Sequence, residues 1–328
     1  MNSLWRLQVR TDGKDQYPIG KYCLDNQVAA IGWSLHHPVD GRWTVSKEER
    51  ESIGNDFGQF IKYANNHNTM VPEGKSKYKI DSVRRMAEEV RVGDLIWMRS
   101  FGIYFIGRVS EDSFWSFNAS DEATEKDASN QLNNIKWLVV GDESEVPGAI
   151  NTALIQGRTF QRIQKIGAKE FSGALYDKLA DTTHYADLHC ENICESFYNL
   201  LAPADADDLL CLWLYHEYKY VCIPSTNKIA TPLYECVLLN IKDGSKVFVQ
   251  VKKGTKDTID VSDYINLAIQ GEVWLLQTEG KIINHNEQSK SVKIADPKVL
   301  YNFSFNESSK TYLSPSINRW VDILKASE

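Results

Sequence analysis

The segment YECVLLNIKDGSKVFVQVKKG (Tyr234–Gly254) limits what this chain can fold into more than any other. Asp243-Gly244 between two apolar runs is a hairpin signal. Val247, Val249 and Val251 alternate with Phe248, Gln250 and Lys252, which predicts a strand with Gln250 and Lys252 on one face. Glu235 falls in an otherwise apolar first strand, where a carboxylate is costly to desolvate unless it is paired or bound to metal. A carboxylate, an amide oxygen and an ammonium on neighbouring strands can hold a divalent cation beside a phosphate. The plain alternative is an amphipathic hairpin with Gln250 and Lys252 in water, and the pattern alone leaves both open.

At 328 residues the chain is long enough for two domains, each with its own core. Its net charge of −7 argues against a broad polyanion-binding surface and confines any nucleic-acid contact to local basic patches. The candidates are Lys252-Lys253 with Lys256, Arg84-Arg85, and Arg158 with Arg162. No apolar run approaches the roughly 18 residues that a membrane span needs, and MNSLWRLQVRTDGKD turns polar too early for a signal peptide, so a cytoplasmic protein is expected. The six cysteines follow no disulfide framework and read as reduced core residues. His184, His189, Cys190 and Cys194 lie close together, but without a CxxC pair they make a poor zinc site.

The first part reads as strand-rich and mixed, with a strand over 28–35, a helix over 46–65, a hairpin formed by 95–99 and 103–109, a surface loop over 120–134, a strand over 135–140 and a helix over 160–180. A polar stretch near 180–184 suggests a boundary, giving domains 1–182 and 183–328. The second part alternates: helices over 188–201 and 205–216, strands over 218–224, 233–241 and 246–252, a helix over 261–270, a strand over 272–278, and closing helices near 297 and over 316–324. This order predicts an α/β domain with a mixed central sheet flanked by helices.

The order helix, strand, Glu-bearing strand, Gln-x-Lys strand, helix, strand over 187–278 resembles the D/E-x-K restriction-endonuclease-like fold, with VQVK at Val249–Lys252 similar to its Mrr-type members. The resemblance implies that Glu235 takes the place of the metal-binding Asp, Gln250 that of the usual acidic residue, and Lys252 that of the catalytic lysine. An acidic residue of the preceding helix reaches the site in that family; Glu195 is expected there ahead of Glu191. The implied chemistry is hydrolysis with Mg²⁺ held by Glu235, the Gln250 amide and the Val251 carbonyl. Glu235 is a methylene longer than the usual Asp, and Gln250 removes a negative charge, so metal affinity should be lower than in the family.

In the first part, IGW (Ile31–Trp33), GDLIW (Gly93–Trp97), IGRV (Ile106–Val109) and IKWLVV (Ile135–Val140) occur in the order of the EVE/YTH-like branch of the PUA superfamily, which this segment resembles. The resemblance implies a small β-barrel with helices that accepts a flipped, modified base between aromatic rings. Stacking is worth about 1–3 kcal/mol per base and extrusion costs a few, so more than one ring is needed. Trp33 and Trp115 are the expected cage residues, Trp97 is open between cage and core, and Trp137 is expected in the core.

Together the two resemblances imply an α+β domain followed by an α/β domain. The expectation is a modification-dependent DNA endonuclease that reads a modified base, such as a cytosine derivative, cuts duplex DNA with Mg²⁺ and acts as a homodimer. Two alternatives stay open: a non-catalytic modified-nucleic-acid-binding protein whose nuclease fold has decayed at Gln250, and an RNA-directed nuclease.

Overall fold

The computed structural model of the chain describes residues 2–9, 18–39, 41–71, 79–155, 159–187, 193–225, 231, 233–254 and 256–325. It is a mixed α/β protein with several sheets. The chain divides into two compact units: residues 1–146 with 150–188, and residues 147–149 with 189–328. No helix among the described residues is long and apolar enough to cross a membrane.

In the first unit the fully buried strand Leu4–Leu7 runs parallel to Leu95–Ser100 and antiparallel to Phe160–Arg162. Leu95–Ser100 continues into Ile103–Arg108 through Phe101-Gly102, both at positive φ (51° and 80°), the backbone that a two-residue hairpin turn requires. Trp137–Gly141 then pairs with Ile103–Arg108. Among the described residues this five-stranded sheet has two free edges, Phe160–Arg162 and Trp137–Gly141, rather than the closure of a barrel. A separate three-stranded sheet, ordered Ala29–Ile31, Asn130–Leu132, Trp115–Phe117, shares a core with it that includes Trp5, Ile31, Phe60, Trp115 and Phe160. Asp94 ties one end of the larger sheet together: its buried carboxylate accepts from Ser3 N (2.6 Å), Trp5 Nε1 (2.8 Å) and Arg91 N (3.0 Å).

Three expectations in this unit need correction. The single helix over 46–65 is two helices. Ser46 closes a capping box on Lys47–Glu51, Gly54 turns at φ +50°, and Asp56 caps a new helix at Phe57–Met70. The loop over 120–134 contains the helix Asp121–Glu125 and the buried strand Asn130–Leu132, whose polar Asn130 and Gln131 hid it from a hydrophobicity reading. The helix over 160–180 begins only at Ala168, because Phe160–Arg162 extends the sheet.

In the second unit the strands Tyr220–Cys222, Cys236–Asn240 and Lys246–Lys252 form an antiparallel meander, and Glu272–Gln277 and Val292–Ile294 add to it in parallel. The central hairpin pairs Cys236 with Val249 and Leu239 with Lys246, around a turn where Gly244 takes φ +73°. The helix Pro203–Tyr218 starts with Pro at its first turn and with Asp205 accepting from Ala202 N (3.0 Å). Its Ala206, Leu209, Leu210, Trp213 and Leu214 are buried, and Trp213 meets Trp274 edge to face at 5.4 Å. Phe248, Val273 and Leu275 pack with Val261, Tyr264 and Leu267. Those last residues lie in two 3-10 turns, Val261–Tyr264 and Leu267–Ile269, where a continuous helix was expected. The strand Val292–Ile294 and the pair Thr258–Asp260/Lys281–Ile283 were not anticipated.

Candidate active site

Glu235 sits one residue before its strand rather than within it, and its N–H still continues the ladder to Val249 O (2.8 Å). That position leaves its side chain partly exposed at the strand end, while Gln250 opposite is fully buried. Burial of Gln250 removes the reading in which both Gln250 and Lys252 face water. The Gln250 amide N–H₂ donates to Glu235 Oε1 (2.8 Å) and to the Val251 carbonyl (3.1 Å). Its Oε1 is buried without a hydrogen-bond partner. Lys252 places Nζ 3.8 Å from the same Glu235 oxygen. Glu235, Gln250, Val251 and Lys252 therefore meet at one end of the hairpin, as their spacing predicted.

The donor set suits a hard cation. Glu235, the Gln250 amide and the Val251 carbonyl offer oxygen donors of the kind such a cation takes; among the described residues no group of three or more His, Cys, Asp or Glu side chains is spaced to hold a metal. Gln250 Oε1 is a buried acceptor left unsatisfied, an arrangement that costs about 1–3 kcal/mol and that a bound cation would relieve. Turning the amide over would bring its oxygen against Glu235 Oε1 and the Val251 carbonyl, which only a cation would make favourable.

The carboxylate that joins this group from a helix is Asp207, on the first turns of Pro203–Tyr218. Burial first, then the charges of Glu235 and Asp208, raise its pKa to about 7, and Lys252 acts in the opposite direction. The signal for it was present: Asp207 shares a helical face with Leu210, Cys211 and Leu214, so it lies on an apolar stripe rather than in water. Glu195 was expected in this role; it lies on the helix Ile193–Leu200, but its side chain is outside the described residues, as is that of Glu191.

A cleft of about 630 Å³ opens beside Asp207 and Glu235. Cys211, Cys222 and Cys236 line it as well, with Cys211 Sγ 3.3 Å from Cys236 Sγ, and all three are free thiols. Hydrogen bonds with Cys222 and Cys236, and then burial, hold the Cys211 thiol well above its ordinary pKa. The His189–Cys190 end of the dismissed zinc cluster lies outside the described residues.

In the first unit, Gly32-Trp33-Ser34 is held tightly. Asn130 Nδ2 donates to Gly32 O (2.7 Å) and Trp33 O (3.3 Å), and Ser34 N donates to Asp127 Oδ1 (3.1 Å). A Cβ at position 32 would lie 2.2 Å from Asp127 Oδ2, so a larger residue there would push aside the carboxylate that accepts from Ser34 N. Trp33 (φ +62°) and Leu35 (φ +54°) both take left-handed backbone, a strain of order 1–3 kcal/mol each that the surroundings impose. Trp115 is nearly buried, its ring meeting Phe57 at 5.2 Å and Phe60 at 6.0 Å, and its indole N–H has no partner. Trp97 is fully buried and donates to Ser172 Oγ (2.9 Å). Strand alternation turns it away from Ile96 and Met98, which share the core of Trp115, so Trp97 is a packing residue. Trp137 is partly buried against that core and donates to Val28 O (3.0 Å). Trp43, a tryptophan of the first part to which the sequence assigned no role, is exposed and stacks on His36 at 4.2 Å and 12°.

The basic patches are mostly engaged internally. Arg84 lies 3.9 Å from Glu88, and Arg162 lies 3.4 Å from Glu89 and over the Trp5 ring. Lys253 donates to Leu201 O, whereas Arg158 lies outside the described residues.

Residues 5–164 match the model of a family described as a domain of unknown function (DUF8426). No curated protein matches the chain, and no solved structure does.

Proposed function

We propose that the chain is a metal-dependent nuclease of the D/E-x-K restriction-endonuclease-like class, directed to modified DNA by an EVE/YTH-like first unit. The observation that carries the reading is the buried Gln250 amide, whose N–H₂ bridges Glu235 and the Val251 carbonyl while its own oxygen lacks a partner. The meander followed by two parallel strands, with Asp207 entering from the preceding helix, agrees with that class.

Mg²⁺ bound by Glu235, Gln250 and the Val251 carbonyl would polarise the phosphoryl group and lower the pKa of an attacking water. Lys252 stands close enough to neutralise charge that develops on the phosphate oxygens and to orient the attacking water by hydrogen bonding. Asp207, deprotonated above pH 7, adds the negative charge that Gln250 lacks. Glu195 keeps its place as a further acidic candidate. Trp33 and Trp115 are the rings proposed to take a modified base, such as a cytosine derivative, in the first unit. Cutting both strands of a duplex needs two such sites, which a homodimer provides.

Incubating the protein and Mg²⁺ with DNAs that carry different cytosine modifications, beside unmodified DNA and modified single-stranded RNA, tests this reading. Cleavage confined to modified DNA supports it. Equal cutting of all DNAs removes the reader, cutting of the RNA alone redirects the enzyme, and binding without any cutting leaves a non-catalytic protein.

A further inference from the structure

The cleft beside Glu235 has a lining that does not suit a phosphate backbone. Among the described residues its charged lining is Asp207, Asp208 and Glu235, with no Lys or Arg. Its mouth instead carries aromatic rings: Tyr215 and Tyr312 line it and are each 43% exposed. His216 meets the Tyr312 ring at a steep angle, 69° at 5.6 Å, while Lys219 lies 5.7 Å from the centroid of Tyr215. Ser314 adds a hydroxyl. The volume, about 630 Å³, lies within the roughly 300–1,000 Å³ of small-molecule sites. Exposed rings and carboxylate acceptors on one lining make a receptor for a flat, neutral ring that bears N–H donors.

We propose that this cleft takes an unpaired nucleobase with an exocyclic amino group, from a strand that passes the Glu235–Lys252 site. The proposal rests on the nuclease reading only for the source of the base. The base stacks on Tyr312 and points its amino group at the carboxylates; the phosphates stay outside, where Lys252 is the nearby cation. Adenine, cytosine and guanine carry such an amine and thymine does not, so the cleft discriminates among bases. The substrate is then locally unpaired at the site of cutting, which a duplex meets only by extruding a nucleotide.

The test uses the full chain in EDTA with a single-stranded oligonucleotide containing one 2-aminopurine. Wild type should quench the 2-aminopurine fluorescence on binding. Tyr312→Ala should lose most of the quenching and bind about ten-fold more weakly, while Tyr312→Phe retains both and circular dichroism shows both variants folded. Adenine-only or cytosine-only oligonucleotides should compete about ten-fold better than thymine-only ones, the worth of one hydrogen bond to a charged group. Absence of quenching, quenching and affinity unchanged in Tyr312→Ala, or equal competition by the thymine strand would each overturn the proposal. Displacement by adenosine monophosphate at the oligonucleotide's own concentration would also overturn it, assigning the cleft to free nucleotides. Because nothing is hydrolysed, a protein that never cuts but shows the Tyr312-dependent signal fails the nuclease reading and passes this one. A protein that cuts with Tyr312→Ala binding unchanged does the reverse.

Discussion

Asp207 takes up a proton as the chain folds. Its folded pKa of about 7 lies above the ordinary carboxylate value, so the native state binds more protons than the unfolded chain across the interval between them. Stability tied to this residue is therefore fully present at pH 4 and falls as pH rises towards 7. Asp207→Asn should leave stability unchanged near pH 4 and raise it at pH 8, by on the order of 1 kcal/mol after allowance for solvent screening. Urea denaturation at the two pH values checks this; an equal change at both would show that Asp207 is not protonated in the fold. Gln250 makes a second residue-scale test. Mg²⁺ should raise the melting temperature of wild type and not that of Gln250→Leu, since the leucine fills the same space without an oxygen. A shift retained in Gln250→Leu would move the cation elsewhere. Glu235, Gln250 and Lys252 were legible in sequence because strand alternation places them. Asp207 was missed although it shares a helical face with Leu210, Cys211 and Leu214, because no local pattern sets that face beside the Glu235 strand end.

Among elements, the turn and second strand of the second-unit hairpin could be read to the residue, since an Asp-Gly turn and a period of two specify register together, whereas the first strand begins at Cys236 rather than at 233. Short strands fared worse. Asn130–Leu132 has polar residues in a buried strand, and the donation of their amide N–H₂ groups to Tyr22 and to main-chain carbonyls is a tertiary fact that no local pattern announces. The split of the helix at Gly54 was visible as a glycine followed by a capping Asp56, and the apolar spacing of Ile53, Phe57 and Phe60 masked it. Trp97 illustrates the limit at a candidate site: sequence placed it on a strand but could not say which face meets a helix. At this scale Asp94 is the joint that holds the Leu4–Leu7 strand beside its neighbour. Asp94→Ala leaves three buried or part-buried donors unmatched and should cost about 2–4 kcal/mol, read as a lower urea midpoint with an unchanged m-value. A loss below 1 kcal/mol would mean that water replaces the carboxylate.

At the scale of the whole molecule, the chain divides into two compact units, the first the proposed reader and the second the proposed cutter. Lys252 belongs to the second unit alone, so its removal should separate the two activities. The decisive measurement is Mg²⁺-dependent cleavage of DNA bearing modified cytosine, beside unmodified DNA of the same sequence, by wild type and by Lys252→Ala, with binding recorded in parallel. Wild type should cut only the modified DNA, and Lys252→Ala should bind it within a few-fold of wild type while cutting at least about a hundred-fold more slowly. Equal cleavage by Lys252→Ala, or no metal-dependent cleavage of any modified DNA by wild type, would contradict the nuclease reading.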